Sequence, residues 1–358
     1  MSESPSIEQV NQLLHDITDP ETGRSIVRTK QLYSTSVENQ AIRLNIGLTT
    51  HSLPIADRFE EQIRRHLTAQ FPDHQVEIEF SDHERRPPAI GQIGLRCRSV
   101  IAVGSGKGGV GKSTVATCLA LGLKKAGCKV GLMDADVYGP SVPQLIGVHG
   151  QPAKEGDKIA PIDADGMPVM SIGFMVPVEQ AVIWRGPMLH SAVTQFLRDT
   201  AWGDLDYLII DMPPGTGDVA LTLSQLMPAT GSVVVCTPQK VALLDAIKAL
   251  SMLEKVKIPA LGIVENMSTF ICPDNGKSYD IFGKGGAKKL AEQMGVPFLG
   301  ELPINIGMRE RGDGGLTLEN FDDPQVAPHL NEMIENLVWS LAERAAEEPV
   351  KPDLPVLG

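Results

Sequence analysis

The sequence is poor in the features that mark membrane-spanning, secreted and nucleic-acid-binding proteins. Of its 358 residues only 4% are aromatic, five are cysteine, and acidic residues outnumber basic ones to give a net charge of −12. No apolar run reaches the ~18 residues that span a bilayer, and the polar N-terminus lacks the apolar core of a signal peptide. Since no basic stripe is present, we expect neither nucleic acid nor a membrane as a partner.

The cysteines are scattered and odd in number, so they do not form the framework of a disulfide-stabilised secreted protein. They are Cys97, Cys118, Cys128, Cys236 and Cys272. This usage fits a reducing compartment, and we expect a cytoplasmic protein. The length leaves room for two domains at roughly 150 residues each.

One glycine-rich stretch organises the chain. The apolar residues 100–103 predict a buried strand, and residues 114–125 predict a helix. Glycine lets the backbone approach a phosphate, and the loop amides and helix N-terminus attract the anion. In such a loop Lys112 reaches the β- and γ-phosphates of a nucleotide and Ser113 ligates Mg²⁺. The residues assigned to nucleotide binding are Gly106, Lys107, Gly108, Gly109, Val110, Gly111, Lys112, Ser113 and Thr114.

Lys107 is a second lysine in this loop, where a phosphate-binding loop needs only Lys112. The pattern Lys-Gly-Gly-Val-Gly-Lys-Ser-Thr resembles the deviant Walker A of the family that includes nitrogenase iron protein, MinD and plasmid-partition ATPases. The resemblance implies a homodimer in which Lys107 of one copy reaches the nucleotide of its partner. The alternative is a solvated surface lysine.

Acidic residues follow two predicted strands. Residues 129–133 precede Asp134 and Asp136, and residues 207–210 precede Asp211. The carboxyl ends of parallel strands face the ligand crevice, and the Asp211 pattern is that of Walker B, which holds the water shell of Mg²⁺. Asp134 and Asp136 either form a turn or position a metal ion and a water molecule. The resemblance assigns Asp136 to orienting the attacking water.

Three further segments of this region carry expectations. Residues 212–218 are rich in Pro and Gly, as in a nucleotide-sensing switch loop or a rigid turn. Residues 158–173 predict a β-hairpin whose turn is residues 163–166. Asn266 ends a strand predicted over residues 261–266, and the resemblance implies that it reads the adenine edge. Trp184-Arg185 is either a pair of residues at the rim of the site on a loop, or part of a segment typical of the subfamily described below. No catalytic role is assigned to Arg185.

The N-terminal residues 1–80 predict a small α+β domain, with helices over 7–14 and 55–69. The Asp19-Pro20-Glu21 and Thr50–Pro54 segments resemble the small domain of iron–sulfur assembly factors. Leu53 occupies the position where that domain has a cysteine, so we expect a regulatory or protein-interaction module. His51 is most simply a polar residue near a helix start. Strands are predicted over 35–39, 41–47 and 75–80, a linker over 81–97, a P-loop ATPase domain over 98–348 and a tail over 349–358.

The region around Cys272 resembles the Mrp/ApbC branch of these ATPases. The matching segments are Glu265–Ser268, Cys272-Pro273 and Ile281–Gly283. In that branch a Cys-x-x-Cys from each of two subunits holds one bridging [4Fe–4S] cluster, but here Asn275 replaces the second cysteine. Four thiolates are the usual ligands, and an amide is a poor ligand for iron. Cys272 is therefore either a ligand of a cluster whose ligand set is completed by outside thiols, or a free thiol in a loop.

These observations predict a doubly wound, mostly parallel α/β P-loop NTPase domain behind a small α+β domain. The resemblance implies a homodimer that binds and hydrolyses MgATP, with Lys107, Lys112 and Asp136 in catalysis, and that carries iron–sulfur clusters to apoproteins. The alternatives are a positioning or partition switch without a cluster, and a regulatory scaffold that kept ATP binding. The terminal helix predicted over 325–348 is acidic, which disfavours a membrane-surface helix.

Overall fold

The structure, a computed structural model, describes residues 4–91, 93–175, 186–215 and 217–347. The Trp184-Arg185 segment, Thr216 of the predicted switch loop and the predicted tail 349–358 lie outside these residues. The chain divides into two units. The first holds the residues up to Arg85 together with those from Val338 onward, and the second runs from Arg86 to Leu337.

A three-stranded sheet and two helices form the first unit. Its central strand β2 is antiparallel to β1 and parallel to β3. Phe59, Ile63 and Leu67 recur at a spacing of one helical turn and are buried in its apolar core. This is the small α+β module that the sequence predicts. Its elements are α1 (Ile7–Leu13), β1 (Leu32–Glu38), β2 (Ala41–Leu48), α2 (Ala56–Gln70) and β3 (Gln75–Asp82).

The second unit is an α/β domain built on a large sheet. Its strands and helices up to the middle of the chain are β4 (Ala89–Ile90), β5 (Leu95–Gly104), α3 (Lys112–Lys125), β6 (Val130–Asp134), α4 (Val142–Ile146), β7 (Lys154–Glu155), β8 (Lys158–Ile159), β9 (Ile162–Ala164), β10 (Met167–Ser171) and α5 (Gly186–Asp199). The remaining ones are β11 (Asp204–Asp211), α6 (Gly217–Leu226), β12 (Gly231–Cys236), α7 (Lys240–Lys255), β13 (Ala260–Ile271), β14 (Ser278–Tyr279), α8 (Gly286–Met294), β15 (Phe298–Ile304), α9 (Ile306–Asp313) and the first part of α10 (Ala327–Glu347), whose residues from Val338 onward belong to the first unit.

Parallel pairing brings the functional strand ends to one edge of this sheet. The order is β14-β13-β12-β5-β11-β6-β10-β9, with β15 on β13 and β4 on β5. Pairing is parallel from β10 through β6, β11, β5 and β12 to β13 and β15. Strands β5 and β11 are apolar and buried along most of their length, as expected for a sheet covered on both faces. The predicted doubly wound α/β class is confirmed.

Strand β13 differs from its prediction because it continues beyond Asn266 to Ile271. Met267 adopts a left-handed conformation with φ of 57°. The pairing with β15 shifts register between Asn266 and Phe270 and then resumes at Ile304. A single residue with positive φ therefore interrupts the ladder without ending the strand, and Asn266 lies within the strand rather than at its end.

The predicted hairpin also differs in extent. Strands β9 and β10 pair antiparallel across the 163–166 turn, which confirms the turn. The ribbon begins at Ile162, however, and β8 pairs instead with β7. Strand β10 also joins the main sheet beside β6, which its own sequence pattern does not reveal. Within the predicted linker, β4 pairs with the start of β5. No helix in the described part of the chain is long and apolar enough to cross a membrane.

Candidate functional site

The glycine-rich loop connects β5 to α3 at the centre of the sheet. Gly109 and Gly111 have φ of 78° and 79°, a region that a side chain disfavours. Gly111 is also the N-cap of α3, so the free amides of the first helical turn open onto the loop. A Cβ on Gly106 would collide with the backbone of Asp245 on α7. The loop thus has the backbone of a phosphate-binding site.

Lys112 is the cation on which the site converges. It is buried, with 7% of its surface exposed. Its Nζ lies 2.6 Å from Asp211 Oδ1 and 3.5 Å from Asp136 Oδ2, and it donates to Ser113 Oγ at 3.2 Å. The structure therefore brings together four site residues predicted from three separate segments.

Asp211 and Asp134 are register partners at the ends of β11 and β6. Burial raises the pKa of Asp134 to about 8, and the neighbouring charge of Asp211 adds to this shift. Burial also raises the pKa of Asp211, while Lys112 opposes the rise. Asp134 accepts hydrogen bonds from Asp136 N, Val142 N and Ser171 Oγ. Its interactions hold the loop after β6, so its role is structural.

Asp136 faces the site from this loop. Its Oδ1 accepts hydrogen bonds from Tyr138 N and Gly139 N, each at 3.3 Å, while Oδ2 points to Lys112. The residue is 7% exposed. One oxygen therefore fixes the carboxylate and the other remains beside the lysine, as a residue that orients a water requires.

The acid and hydroxyl groups fit a magnesium ion. Asp211 Oδ2 is buried and has no hydrogen-bond partner among the described residues. A buried carboxylate oxygen without a donor is costly unless a ligand completes it. Ser113 and Thr114 lie in the first turn of α3, and Ser113 is next to Lys112 in the chain. Oxygen ligands around bound water are the environment that Mg²⁺ takes with nucleotides.

The segment after β11 is tied to the phosphate-binding loop. Gly215 N donates to Ser105 O at 3.0 Å, and Gly217 N donates to Gly215 O at 2.7 Å. Gly215 has a φ of 79°. A glycine-rich turn held to the loop by the Gly215 hydrogen bond is suited to a switch that responds to the γ-phosphate.

Asn266 reaches the same loop from β13. Its Nδ2 donates to Val110 O at 2.8 Å. A Cβ on Gly111 would occupy the place of this amide, so the glycine is needed for packing as well as for its φ. The structure brings Asn266 to the nucleotide loop, and its contact with adenine stays a prediction.

Lys107 differs from Lys112 in its surroundings. It is half-buried in a loop whose Gly108 and Gly109 are exposed. Its carbonyl accepts a hydrogen bond from Ser105 Oγ at 2.9 Å. Among the residues that the structure describes, none pairs with its ammonium group. The loop is thereby fixed while the charge remains available, and the role of Lys107 across a dimer stays a prediction.

Cys272 lies in a tight turn between β13 and β14. Its N–H donates to Lys277 O and its carbonyl accepts from Gly276 N, both at 2.9 Å. Asn275 Oδ1 accepts a hydrogen bond from Lys277 N at 2.9 Å. The residue that replaces the second cysteine therefore closes the turn with its own side chain. We call residues 270–279 the Cys272 hairpin.

Cys272 is half-buried, whereas the other four cysteines are buried. Burial raises the pKa of Cys97, Cys118 and Cys236 to about 12, and that of Cys128 further. Those thiols stay protonated and inert. The described residues contain no group of three or more His, Cys, Asp or Glu side chains placed to hold a metal. A single copy thus offers one usable thiolate.

A polar network occupies the first unit. Asp19 is fully buried and pairs with Arg85 at 2.8 Å. Thr22 Oγ1 and Gln31 Nε2 also donate to its carboxylate. Arg85 lies in the linker predicted from the sequence, so its pairing with Asp19 is not expected. The Asp19-Pro20-Glu21 segment is the one sequence feature that points to this acid. Leu53 lies in a short 3₁₀ helix over Thr50–Ile55. His51 in that helix is buried.

Glu265 is a second residue whose role the motifs do not reveal. Its carboxylate is fully buried and accepts hydrogen bonds from Gly285 N and Ala287 N at the start of α8. The signal in the sequence is an acid that directly follows the apolar run 261–264.

Comparison with known proteins matches both parts of the chain. Residues 7–80 match the model described as iron-sulfur cluster assembly protein. An iron-sulfur cluster carrier protein of Deinococcus radiodurans is 43% identical over 348 residues, or 96% of this chain and 98% of the relative. The iron-sulfur cluster transfer protein NUBPL of Dictyostelium discoideum is 44% identical over 71% of this chain and 80% of its own length.

A solved structure agrees with this result. A nucleotide-binding protein from Archaeoglobus fulgidus, in complex with ADP, superposes with a TM-score of 0.57 at 41% identity, covering 64% of this chain and 90% of that one. The model described as ParA, NUBPL iron-transfer P-loop NTPase, matches residues 96–338, which hold the glycine-rich loop, the acid cluster and the Cys272 hairpin. The chain belongs to the NUBPL iron-transfer P-loop NTPase family.

Proposed function

We propose that this chain is an ATP-hydrolysing, homodimeric carrier that takes up an iron–sulfur cluster and passes it to apoproteins. The observation that carries the proposal is the continuity of β13. Its residue Asn266 contacts the phosphate-binding loop, and Cys272 directly follows its last residue. One strand thus joins the nucleotide site to the thiol, and the names of the relatives supply the cargo.

Hydrolysis follows from positioning and charge. Lys112 and the loop amides hold the β- and γ-phosphates of ATP. Ser113 and, through water, Asp211 hold Mg²⁺, which neutralises charge on the phosphates. Asp136 orients the attacking water with the oxygen that its loop leaves free. Lys112 lies within 3.5 Å of both carboxylates, so phosphate binding redistributes its interactions.

The partner copy supplies Lys107. The ammonium group has no partner among the described residues, and the loop that carries it borders an exposed apolar surface. On α7, Val241 is 64% exposed and Leu244 is 52% exposed, a few residues before the Asp245 that packs on Gly106. Exposed apolar side chains beside a catalytic loop support a subunit interface there.

The cluster is cargo, and each copy contributes one thiolate to it. Two copies of Cys272 supply two of the four ligands that a [4Fe–4S] cluster usually takes. The Asn275 oxygen is engaged by Lys277, so small thiols or cysteines of the receiving apoprotein complete the set. Ligand positions open to exchange suit a carrier that releases its cluster.

Anaerobic reconstitution with iron and sulfide tests the proposal. Wild type and Cys272→Ala are reconstituted together, and absorbance and bound iron are measured with and without added dithiol. The wild type should hold more iron than the variant, by about a whole cluster per dimer. Equal iron in the two proteins contradicts a carrier that uses Cys272.

A nucleotide-dependent switch without a cluster is the second candidate. The use of Asn275 as a turn residue favours it, because the turn is stable without a second thiolate. In that case ATP hydrolysis persists unchanged in Cys272→Ala while neither protein binds iron. The same reconstitution therefore separates the two functions.

A further inference from the structure

Glu265 is a fully buried carboxylate that lies outside the nucleotide site and its three acids, Asp134, Asp136 and Asp211. Its Oε1 accepts from Gly285 N at 2.8 Å and its Oε2 accepts from Ala287 N at 2.7 Å. Gly285 is the N-cap of α8, with a φ of 73°. Charge-assisted bonds to a helix N-terminus are strong. Both carboxylate oxygens therefore fix the start of α8 to β13.

The next residue in the chain fixes β13 to the nucleotide site. Asn266 donates to Val110 O in the phosphate-binding loop. Side chains of successive strand residues point to opposite faces. The backbone at this point is thus held on one face by the loop that binds phosphate and on the other face by α8.

The segment 267–284, which contains the Cys272 hairpin, leaves and returns at this same point. The chain departs after Asn266, passes Cys272 and comes back to Gly285, the residue that Glu265 holds. Met267 has a φ of 57°, which is strained for a residue with a side chain. The pairing of β13 with β15 breaks there. The departing strand therefore has an irregular backbone at Met267 and pairs with β15 again at Phe270, while the returning end is held by Glu265.

We propose that Glu265 is a positioning residue that transmits nucleotide binding from Asn266 to the Cys272 hairpin. The inference rests on the proposed function, because it needs ATP at the loop and the thiolate of Cys272 on the hairpin. Nucleotide contacts at Asn266 compete with its bond to Val110 and turn the backbone at Met267. Since Glu265 holds the returning end, the rotation of the backbone at Met267 reorients the Cys272 hairpin. Without this anchor, a free loop would absorb the rotation.

The thiol itself is the readout. The other four cysteines are buried, so alkylation of the native full-length chain by a maleimide reports on Cys272, with Cys272→Ser as the blank. We measure the alkylation rate without nucleotide, with MgADP and with MgATP. The expected change with MgATP in wild type is about fivefold or more, the lower end of ordinary coupling between sites.

Glu265→Gln tests the link. The amide has the size of the carboxylate but places N–H groups against the helix N–H groups. MgATP affinity, measured by calorimetry, should stay within about twofold of wild type, while the MgATP effect on alkylation falls below about twofold. Glu292→Gln is the matched control. Glu292 is an exposed glutamate on the same helix α8, and its variant should keep the full effect.

Gly285→Ala provides a second route if Glu265→Gln fails to fold. The added Cβ meets nothing within 4 Å, but the φ of 73° is strained for alanine. The substitution weakens the contact between Gly285 N and Glu265 from the side of α8. It should therefore also reduce the effect of MgATP on the alkylation of Cys272. Variants that keep the full MgATP effect overturn the role of Glu265. Wild type that binds MgATP without any change at Cys272 overturns the coupling alone. Wild type that fails to bind MgATP overturns the proposed function as well.

Discussion

Asp134 and Asp211 lie side by side at the ends of β6 and β11, where they pair in parallel register and are both fully buried. Lys112 is the cation beside them, at 2.6 Å from Asp211. Burial and the Asp211 charge raise the pKa of Asp134 from 3.8 to about 8. Both effects favour the protonated form of Asp134 in the folded chain, and this preference has a measurable consequence.

The free energy of unfolding should fall as the pH rises through neutrality. The folded chain keeps a proton on Asp134 up to about pH 8, whereas an unfolded chain releases it near 3.8. The folded state binds more protons in this window, so the stabilisation is complete below ~4 and is lost towards ~8, at about 1.4 kcal/mol per pH unit. In Asp134→Asn the group no longer titrates. The difference between wild type and variant in urea unfolding, followed by circular dichroism, should have this slope.

Asp165→Asn serves as the control for that titration. Asp165 is exposed in the hairpin turn, and its hydrogen bond from Lys124 lowers its pKa. Its removal should leave the slope between pH 5 and 8 unaltered, because an exposed pair is screened by solvent. A difference curve for Asp134→Asn that is flat over this range would show that Asp134 is ionised in the folded chain.

Lys107→Ala should leave nucleotide binding and folding intact while suppressing ATP hydrolysis. The residue adds no ion pair within the described chain, so its removal costs little stability. A cation that acts on the transferred phosphoryl group contributes much of the rate, and we expect a loss of at least ~10-fold in kcat. Steady-state phosphate release measures it. Lys125→Ala, which loses a surface pair with Asp322 and a cation–π contact with Phe321, should retain full turnover.

Mixing two inactive variants tests whether Lys107 acts across the dimer. Lys107→Ala keeps its own Lys112, and Lys112→Ala keeps its own Lys107, so a mixed dimer contains one complete site. Random pairing should restore about a quarter of the wild-type rate, since half of the two-fold dimers are mixed. Activity that stays at the sum of the two variants would place Lys107 in its own site instead.

The parts of the site that the sequence predicts are those determined by neighbouring residues. Glycines with positive φ, a strand before them and a lysine at the helix start define the phosphate-binding loop locally. Asp211 follows from its apolar strand for the same reason. Each of these residues lies where expected, because the strand ends that carry them meet at one edge of a parallel sheet.

The residues that escaped prediction depend on contacts between distant segments. The raised pKa of Asp134 depends on the register that places Asp211 beside it, whereas its turn-forming role is one of the two alternatives that the sequence offers. The role of Glu265 needs the start of α8 beside β13. The extension of β13 escapes because Met267 takes a conformation that methionine rarely adopts. Arg85 is predicted to lie in a linker, because its partner Asp19 is distant in the sequence and no neighbouring residue indicates the ion pair.

Arg85→Ala should destabilise the first unit strongly at neutral pH. Burial alone would raise the pKa of Asp19, but Arg85 and the hydrogen bonds from Thr22 and Gln31 outweigh it and lower the pKa. Removing the arginine leaves a buried carboxylate without its cation, at a cost of about 3 kcal/mol. Urea unfolding of the full chain measures it, together with hydrogen exchange of the β1–β3 sheet. Arg65→Ala, which breaks an exposed pair with Glu61, should cost at most ~0.5 kcal/mol.

The Arg85 effect should also depend on pH, with the opposite sign to that of Asp134. A lowered pKa gives stability that is present above ~4 and is lost as the pH falls through the folded value. The deficit of Arg85→Ala should therefore be greatest near pH 7 and shrink in acid as Asp19 is protonated. A deficit that is constant from pH 3 to 7 would attribute the loss to packing of the arginine stem rather than to the ion pair.

Asn275→Cys should convert a weak cluster site into a strong one. The Asn275 oxygen accepts the Lys277 N–H, and a thiolate accepts the same donor, so the turn is preserved. A dimer then offers four thiolates instead of two. We expect about four irons per dimer after anaerobic reconstitution, retained against a chelator that strips the wild type. Absorbance near the cluster bands and iron analysis follow the loss over time.

The matched control for this substitution is Asn275→Asp, which keeps a side-chain oxygen for Lys277 but adds no thiolate. It should reconstitute like the wild type. Because release requires ligand exchange, Asn275→Cys should also transfer its cluster to an apoprotein more slowly than wild type. If Asn275→Cys retains no more iron against the chelator than Asn275→Asp does, the two hairpins do not meet across the dimer, and Cys272 cannot bridge a cluster between copies of the chain.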